Sequence, residues 1–326
     1  IPQHRSFEVN PEDGMNVELS IDRVIQDIVE DELGKIVEDF SPVSASIIVG
    51  NPISGDVLAL GNAPDFDPNL FYESDMNSQR NRALADLYEP GSTFKIVPVG
   101  AALNEGLVVP SDIIDCAKSS YLVGNKIRRL PSDHTLLGKI SLKEVVKKSS
   151  NRGAAQLGIK LGSRRLYEYS KAFGFGSSTD FGIGGERKGI LHKPRSWDGL
   201  TITRLPMGHA VSVTAMQIHQ AMSAVANDGI LMKPRFIERI FDKDGKTVVS
   251  FESKPVRRVL SAGVADTLSK MLVSVVSAEG TARRASIPGF AVAGKTGTTQ
   301  KIIEGKYSNR HHVASFVGYF PAENPQ

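Results

Sequence analysis

The stretch Pro90-Gly91-Ser92-Thr93-Phe94-Lys95 contains the only serine of this chain that a lysine follows three residues later. Residues three apart on a helix share a face, so the Ser92 hydroxyl and the Lys95 amine can approach each other. Pro90 and Gly91 favour a turn that opens a helix, where free backbone N–H groups favour negative charge. A lysine made neutral by burial can accept a serine proton. The stretch therefore predicts a nucleophile and its base.

A second motif, Lys295-Thr296-Gly297-Thr298, follows the short apolar run 290–294, which predicts a strand. Lys295 supplies a positive charge, while Thr296 and Thr298 supply hydroxyl donors. Gly297 allows a ligand backbone to lie close to the strand edge. The motif is typical of a carboxylate-binding strand end, although a lysine at an exposed strand end would give the same pattern.

A third motif, Ser149-Ser150-Asn151, comes after a helix whose start is indicated by the capping box at residues 141–144. Serine and asparagine favour helix boundaries, so Ser149 and Asn151 are expected at a turn between two helices. A hydroxyl there could relay a proton, and an amide could hold a peptide carbonyl. By itself the motif is also compatible with a simple helix break.

The ordered set of these three motifs resembles the transpeptidase domain of class B, monofunctional penicillin-binding proteins of the septal cell-division type. The resemblance runs from about residue 15 to the end of the chain. Further matching stretches lie at residues 46–60, 64–69, 88–92, 196–200, 208–214 and 315–321.

The resemblance implies roles for these residues. Ser92, Lys95 and Ser149 would be catalytic, with Ser92 forming an acyl-enzyme. The backbone N–H groups of Ser92 and Thr298 would form the oxyanion hole. The substrate-binding residues would be Asn151, Lys295, Thr296, Gly297 and Thr298. The implied substrates are a peptidoglycan stem peptide ending in D-Ala-D-Ala and an amine acceptor, with β-lactams as covalent inhibitors and no cofactor.

The implied fold is α/β (α+β) of the penicillin-binding-protein and serine β-lactamase type, an antiparallel sheet covered by helices with an inserted helical lobe. The expected sheet lobe covers approximately residues 15–90 and 252–326, and the helical lobe approximately residues 91–251. Class B proteins carry an N-terminal membrane anchor and a pedestal, and end in a further strand and helix. We expect this chain to lack all four and to derive from a protein anchored at the extracytoplasmic face of the bacterial inner membrane, with membrane partner proteins.

Composition excludes several other classes. The net charge of +3 over 326 residues is too small to indicate a nucleic-acid partner, and no basic cluster with interleaved aromatic residues occurs. The single cysteine, Cys116, excludes an internal disulfide. The seven histidines show no metal-binding spacing, so no metal site is expected. No apolar run reaches the roughly eighteen residues of a membrane span.

Three other functions remain compatible with the motifs. A D,D-carboxypeptidase would use the same site with water as the acceptor. A class D-like β-lactamase or β-lactam sensor would need a base for deacylation, for which Glu186 is a candidate with a likelier role as a surface carboxylate. A cell-division scaffold with an inert pocket would bind partners only.

Local patterns give further expectations. Ser20 is expected to cap a helix that buries Val24, Ile28, Leu33, Ile36 and Val37. The helix that begins at about Ser92 is expected to run to Asn104. Pro98 would then interrupt its interior, at a cost of about 3 kcal/mol.

Overall fold

The computed structural model describes residues 11, 13–123, 125–303 and 305–325. Its helices are α1 (Arg23–Phe40), α2 (Arg82–Ala85), α3 (Ile96–Asn104), α4 (Leu142–Lys147), α5 (Asn151–Ala172), α6 (Thr201–Arg204), α7 (Ala215–Ala226) and α8 (Ala262–Val276). Its short 3₁₀ turns are Pro68–Glu73, Gly91–Lys95, Pro194–Ser196, Leu205–Met207 and Arg283–Ala285.

The strands are short, apart from the last two. They are β1 (Asn16–Leu19), β2 (Ala45–Gly50), β3 (Val57–Ala63), β4 (Ile113–Asp115), β5 (Ser120–Val123), β6 (Lys126–Arg129), β7 (Lys139–Ser141), β8 (Ile190–Leu191), β9 (Val211–Ser212), β10 (Ile230–Met232), β11 (Ile237–Phe241), β12 (Thr247–Ser250), β13 (Pro255–Arg258), β14 (Ala293–Ile303) and β15 (Lys306–Tyr319). Every pairing between these strands is antiparallel: β1–β11–β12, β2–β3, β4–β7, β5–β6, β8–β9, β10–β13 and β14–β15.

Helices pack against the β2–β3 and β14–β15 hairpins, and this combination of helices and antiparallel sheet confirms the fold class expected from the sequence. Helix α1 packs on the β2–β3 hairpin, and α8 packs on β14. Helix α3 lies between α5 and α8, and its residues from Ile96 to Ala102 are all buried. The main hydrophobic core therefore forms around the helix that directly follows the Ser92 turn.

The expectation for α1 was partly wrong. Asp22, not Ser20, caps the helix, because its carboxylate accepts the N–H groups of Val24 and Ile25. The Ser20 hydroxyl instead donates to the Val57 carbonyl at 2.7 Å.

The buried face of α1 is also different from the expected one. Val29 and Leu33 are buried, whereas Val24 is 68% exposed and Ile28 is 55% exposed. Gly61 on β3 explains the choice of face, since a Cβ there would lie 2.5 Å from Leu33 Cδ1 and 2.9 Å from Val29 Cγ1. The missing side chain lets this face of α1 approach the hairpin.

Pro98 lies in the first turn of a helix and not in a helix interior, which corrects the sequence expectation. The chain forms a 3₁₀ turn over Gly91–Lys95, and the α-helix starts only at Ile96. Pro98 is thus the third residue of α3, where the backbone N–H would have no partner within the helix. The expected cost of interrupting the hydrogen-bond ladder is therefore largely avoided.

The hairpin β11–β12 turns at Gly245 and pairs through β11 with β1, near the beginning of the chain. Its residues belong to the segment 91–251 that the sequence assigned to the helical lobe. The limits of the two lobes stay a prediction.

Candidate active site

The turn that carries Ser92 is held against strand β14. Gly91 has φ +55°, and a Cβ on it would lie 2.5 Å from Thr299 Cγ2. The Gly91 N–H donates to the Gly208 carbonyl at 3.1 Å. The Thr93 hydroxyl donates to the Pro90 carbonyl at 2.8 Å. Glycine is therefore required at position 91 both for its backbone conformation and for the close approach of β14.

Ser149 and Ser150 lie in the turn between α4 and α5, and Asn151 is the first residue of α5, so the segment lies at the helix boundary that the sequence predicted. Ser150 is the N-cap of α5, and its hydroxyl accepts the Gly153 N–H at 2.9 Å. Ser149 has φ +59°, a left-handed conformation that is uncommon for a residue with a side chain. This conformation sets the direction in which both the carbonyl and the hydroxyl of Ser149 point.

Two lysines meet at Ser149. Lys95 Nζ donates to the Ser149 carbonyl, lies 3.2 Å from Ser149 Oγ and lies 2.8 Å from Asn151 Oδ1. Lys295 Nζ lies 2.9 Å from the same Ser149 Oγ. We call Lys95, Ser149, Asn151 and Lys295 the lysine cluster. It joins three segments that are far apart in the sequence.

Both lysines of the cluster are shielded from water, and this changes their protonation. Burial lowers the pKa of Lys95 well below its usual range, and the nearby charge of Lys295 lowers it further, while Asp133 and Cys116 act in the opposite direction. Burial lowers the pKa of Lys295 to about 7. A neutral amine is thus accessible near neutral pH, as a proton acceptor requires.

Ser92 itself is half-buried in the turn. Within the described residues, the hydrogen bonds of Lys95 Nζ go to Ser149 and Asn151, and none joins it to the Ser92 hydroxyl. The structure thus brings Lys95 more tightly to the Ser149-Ser150-Asn151 motif than to Ser92, and Ser149 links it to Lys295. The catalytic roles of these residues stay predictions.

Strand β14 places its four motif residues in different environments. Lys295 and Gly297 are buried, Thr296 is half-buried and Thr298 is exposed. A Cβ on Gly297 would lie 2.8 Å from the Pro90 carbonyl oxygen, so β14 lies close to the Ser92 turn. The hydroxyl of Thr298 is therefore accessible to a ligand, whereas Lys295 lies behind it against Ser149.

Two sets of polar residues were missed by the sequence interpretation. The first is Asp133, whose carboxylate accepts hydrogen bonds at the start of α5. It lies 18 residues before Asn151, and no local spacing pattern pointed to it.

The second set, which we call the Glu89 cluster, comprises Glu89, His209 and Tyr307. The Glu89 carboxylate accepts the Tyr307 hydroxyl at 3.0 Å and the Ala210 N–H at 2.9 Å, and lies 3.1 Å from His209 Nδ1. Glu89 and His209 belong to stretches that carried the resemblance, but nothing in the sequence indicated that they meet.

A family profile described as "Penicillin binding protein transpeptidase domain" matches residues 45–326. The match covers most of the chain and includes all three motifs. The chain belongs to the penicillin-binding protein transpeptidase family. Its relatives place it with the class B penicillin-binding proteins, as the motifs predicted.

Curated relatives match along nearly the whole chain. Stage V sporulation protein D of Bacillus subtilis is 35% identical over 100% of this chain and 50% of its own length. The probable peptidoglycan D,D-transpeptidase PenA of Neisseria gonorrhoeae is 29% identical over 97% of this chain and 52% of its own length. The chain thus spans about half the length of the curated relatives it matches.

A solved structure of the family agrees with the fold. Penicillin-binding protein 3 of Mycobacterium tuberculosis, in complex with ampicillin, superposes with a TM-score of 0.88 at 31% identity. The alignment covers 98% of this chain and 72% of that one.

Glu186, the candidate deacylation base, has a local structural role in this transpeptidase domain. Its carboxylate accepts the hydroxyls of Ser178 and Thr179, each at 2.6 Å. These bonds hold the loop that contains Glu186 and occupy both carboxylate oxygens.

In the described part of the chain, no group of three or more His, Cys, Asp or Glu side chains has an arrangement suited to a metal ion. None of the described helices combines the length and the apolar character needed to cross a membrane.

Proposed function

We propose that this domain is a serine D,D-transpeptidase that cross-links peptidoglycan stem peptides through an acyl-enzyme on Ser92. The observation that carries the proposal is the lysine cluster, in which two buried amines share the Ser149 hydroxyl beside the turn of Ser92. The name of the Neisseria gonorrhoeae relative, a probable peptidoglycan D,D-transpeptidase, supports it.

In the first step, Lys95 accepts the proton of the Ser92 hydroxyl, and Ser92 Oγ attacks the carbonyl carbon between two D-alanines. Because Lys95 bonds to Ser149 and Asn151, it must exchange one of these acceptors for Ser92 when the substrate arrives. The bond to the terminal D-alanine then breaks, and its nitrogen takes a proton that Ser149 relays from the lysines.

The backbone N–H groups of Ser92 and Thr298 would stabilise the negative charge on the attacked carbonyl oxygen. One such donor contributes about 3 kcal/mol in comparable hydrolases. The terminal carboxylate would bind at Thr296 and Thr298, with Lys295 behind them. A bound carboxylate favours the charged form of Lys295, whose pKa is about 7 without this partner.

In the second step, the amine of another stem peptide attacks the acyl-enzyme and releases Ser92. A D,D-carboxypeptidase would use water instead, so the products formed with an amine acceptor present distinguish the two activities. A β-lactamase would release the acyl group quickly. A penicillin acyl-enzyme that lasts for many minutes, and whose lifetime does not change in Glu186→Gln, supports the transpeptidase; turnover within seconds would contradict it.

The direct test is the intact mass of the protein after exposure to penicillin, with the modified peptide mapped. We expect one added penicillin, located on Ser92, and none in Ser92→Ala. The matched control, Ser196→Ala, changes an exposed serine and should label like the wild type. Labelling that persists in Ser92→Ala would refute the proposal. So would the absence of labelling in the wild type, which is the result expected of an inert scaffold.

The substrate sets the expected location. Peptidoglycan lies outside the cytoplasmic membrane, so we infer that the full-length protein presents this domain on that side, held by a membrane anchor and by membrane partner proteins. A fluorescent penicillin that cannot cross the membrane should label the full-length protein in intact cells. Labelling only after lysis would contradict this location.

A further inference from the structure

Asp133 lies where α5 begins, directly beside the lysine cluster. Its carboxylate oxygen Oδ1 accepts the backbone N–H groups of Asn151 and, at 3.1 Å, Arg152. Its other oxygen accepts the Ser150 hydroxyl at 2.8 Å. One carboxylate therefore occupies the free N–H groups at the start of α5, where negative charge is favoured.

The residue before Asp133 fixes the orientation of the Asn151 amide. Asn151 Nδ2 donates to the Ser132 carbonyl at 3.0 Å. With the NH₂ group turned to Ser132, Oδ1 of the same amide points to Lys95 Nζ, 2.8 Å away. The segment Ser132–Asp133 thus holds both the backbone and the side chain of Asn151.

An ordinary helix cap stabilises its helix and nothing else. Asp133 differs because the helix residue that it holds is itself a partner of Lys95. The other charged or titratable groups near this region are Lys295 on β14, Asp115 at the end of β4, Cys116 directly after it and Arg152 on α5. His134 follows Asp133 in the chain. Among the described residues no ion pair joins Arg152 to Asp133, and the Arg152 guanidinium donates to the carbonyls of Cys116 and Ala117 at 3.1 Å.

We propose that Asp133 is a positioning residue for the acylation of Ser92: it holds Asn151 so that the amide oxygen keeps the Lys95 amine in place beside the turn. This inference rests on the proposed transpeptidase function. It assigns no contact between Asp133 and the substrate.

Two substitutions separate geometry from charge. Asp133→Ala removes the acceptors for the N–H groups of Asn151 and Arg152. Asp133→Asn keeps an oxygen that can accept both N–H groups and removes the charge. Its NH₂ group also replaces the acceptor of the Ser150 hydroxyl, to which it can donate instead. We expect the rate constant for acylation by a fluorescent penicillin to fall roughly 10²-fold in Asp133→Ala, as misplacement of a catalytic group by about 1 Å can cause. In Asp133→Asn it should stay within about threefold of the wild type.

The matched control is Asp22→Ala. Asp22 also accepts two backbone N–H groups at the start of a helix, those of Val24 at 2.9 Å and Ile25 at 3.0 Å, although it is the N-cap residue of α1 and Asp133 reaches α5 from a distant segment. Helix α1 contributes no residue to the lysine cluster. Both alanine variants should lower the melting temperature, since each removes a helix cap. Only Asp133→Ala should slow acylation.

The pH profile gives a readout that a purely structural role would not change. The Asp133 carboxylate favours the charged form of Lys95, so removing its charge lowers the pKa of that amine further. The acid limb of the acylation profile should therefore move to lower pH in Asp133→Asn. An unchanged rate in Asp133→Ala, or equal slowing in Asp22→Ala, would overturn the inference. Neither result would affect the proposed function, which depends on the Ser92→Ala experiment.

Discussion

The lysine cluster and the Glu89 cluster each consist of polar side chains that contact one another within the cluster. Burial favours the neutral form of the amines in the first cluster, whereas the contacts of Glu89 favour the charged form of its carboxyl group in the second. In the lysine cluster, burial lowers the pKa of both amines, which favours the neutral form. In the Glu89 cluster, burial alone would raise the pKa of the carboxyl group. His209 lowers this pKa through a hydrogen bond and through its charge, and the hydrogen bonds from the Ala210 N–H and the Tyr307 hydroxyl lower it further. The charged form of Glu89 is therefore favoured.

The difference comes from what each buried group contacts. Lys95 donates to the Ser149 carbonyl, the Ser149 hydroxyl and the Asn151 amide oxygen, and Lys295 donates to the Ser149 hydroxyl and the Thr296 carbonyl. None of these acceptors is a carboxylate. Neutral dipoles do not offset the loss of water around a cation. Glu89, in contrast, has three donors. The same fold therefore lowers the pKa of two buried amines in one place and the pKa of a carboxyl group in the other.

The largest effect is expected for Lys95→Gln, which removes the titratable amine and keeps a polar side chain. A general base contributes about 10³-fold to such a step. The acylation rate constant for a fluorescent penicillin should fall by about this factor, while the melting temperature changes little.

The control for this variant is Lys270→Gln, which changes a lysine that is 75% exposed and paired only with Asp266. It should acylate at the wild-type rate. If Lys95→Gln also acylated at that rate, Lys95 would not be the base, and the lowered pKa of the buried amines would have no role in acylation.

The sequence predicted local features of the chain better than contacts between residues that are distant in it. Local geometry predicted the helix break at Ser149 correctly. It also predicted that the Ser92 hydroxyl approaches the Lys95 amine, but in the structure this amine bonds to Ser149 and Asn151. The prediction that Lys95 and Lys295 lie close together required the family resemblance, because no local rule relates residues that are 200 positions apart. Asp133 was missed for the same reason.

Local rules also failed where tertiary contacts decided between options. Pro98 could be interpreted correctly only once the preceding 3₁₀ turn was known, since that turn moves the start of the α-helix to Ile96. The buried face of α1 depended on Gly61, a residue of a different element. Periodicity predicts that a helix has a buried face, but its partner determines which residues form it.

A second prediction concerns the charge of Lys295. If its amine titrates near pH 7, the charged fraction falls about tenfold between pH 6 and pH 8. Initial binding of a carboxylate-bearing β-lactam should weaken by up to this factor over the same range. In Lys295→Arg the guanidinium stays charged, so this pH dependence should disappear. Binding of the wild type that is independent of pH between 6 and 8 would contradict the proposed titration.

A third, smaller effect is expected for Glu89. The folded pKa of its carboxyl group lies below the unfolded value of about 4.3, so the charged form contributes stability above that pH. This stability is lost as the pH falls through the folded pKa. Urea unfolding should show that the wild type loses about 1 kcal/mol more than Glu89→Gln on acidification below pH 4.3. Parallel pH curves for the two proteins would contradict the assignment.

The smallest effect is expected for Tyr307→Phe, which removes one donor to Glu89 and keeps the aromatic ring beside His209. The ring centroids of Tyr307 and His209 are 5.8 Å apart, so this packing is unaffected by loss of the hydroxyl. Glu89 retains the Ala210 N–H and His209 as partners.

Because Tyr307 is 49% exposed, water can replace its hydroxyl at the carboxylate. The free energy of unfolding should therefore fall by only about 0.5 kcal/mol, measured by urea unfolding at pH 7. The acylation rate should stay within about twofold of the wild type, since Tyr307 has no recorded contact with the lysine cluster in the described residues. A tenfold slower acylation would show that the Glu89 cluster controls the position of the Ser92 turn through Glu89, and that the two clusters act as one unit.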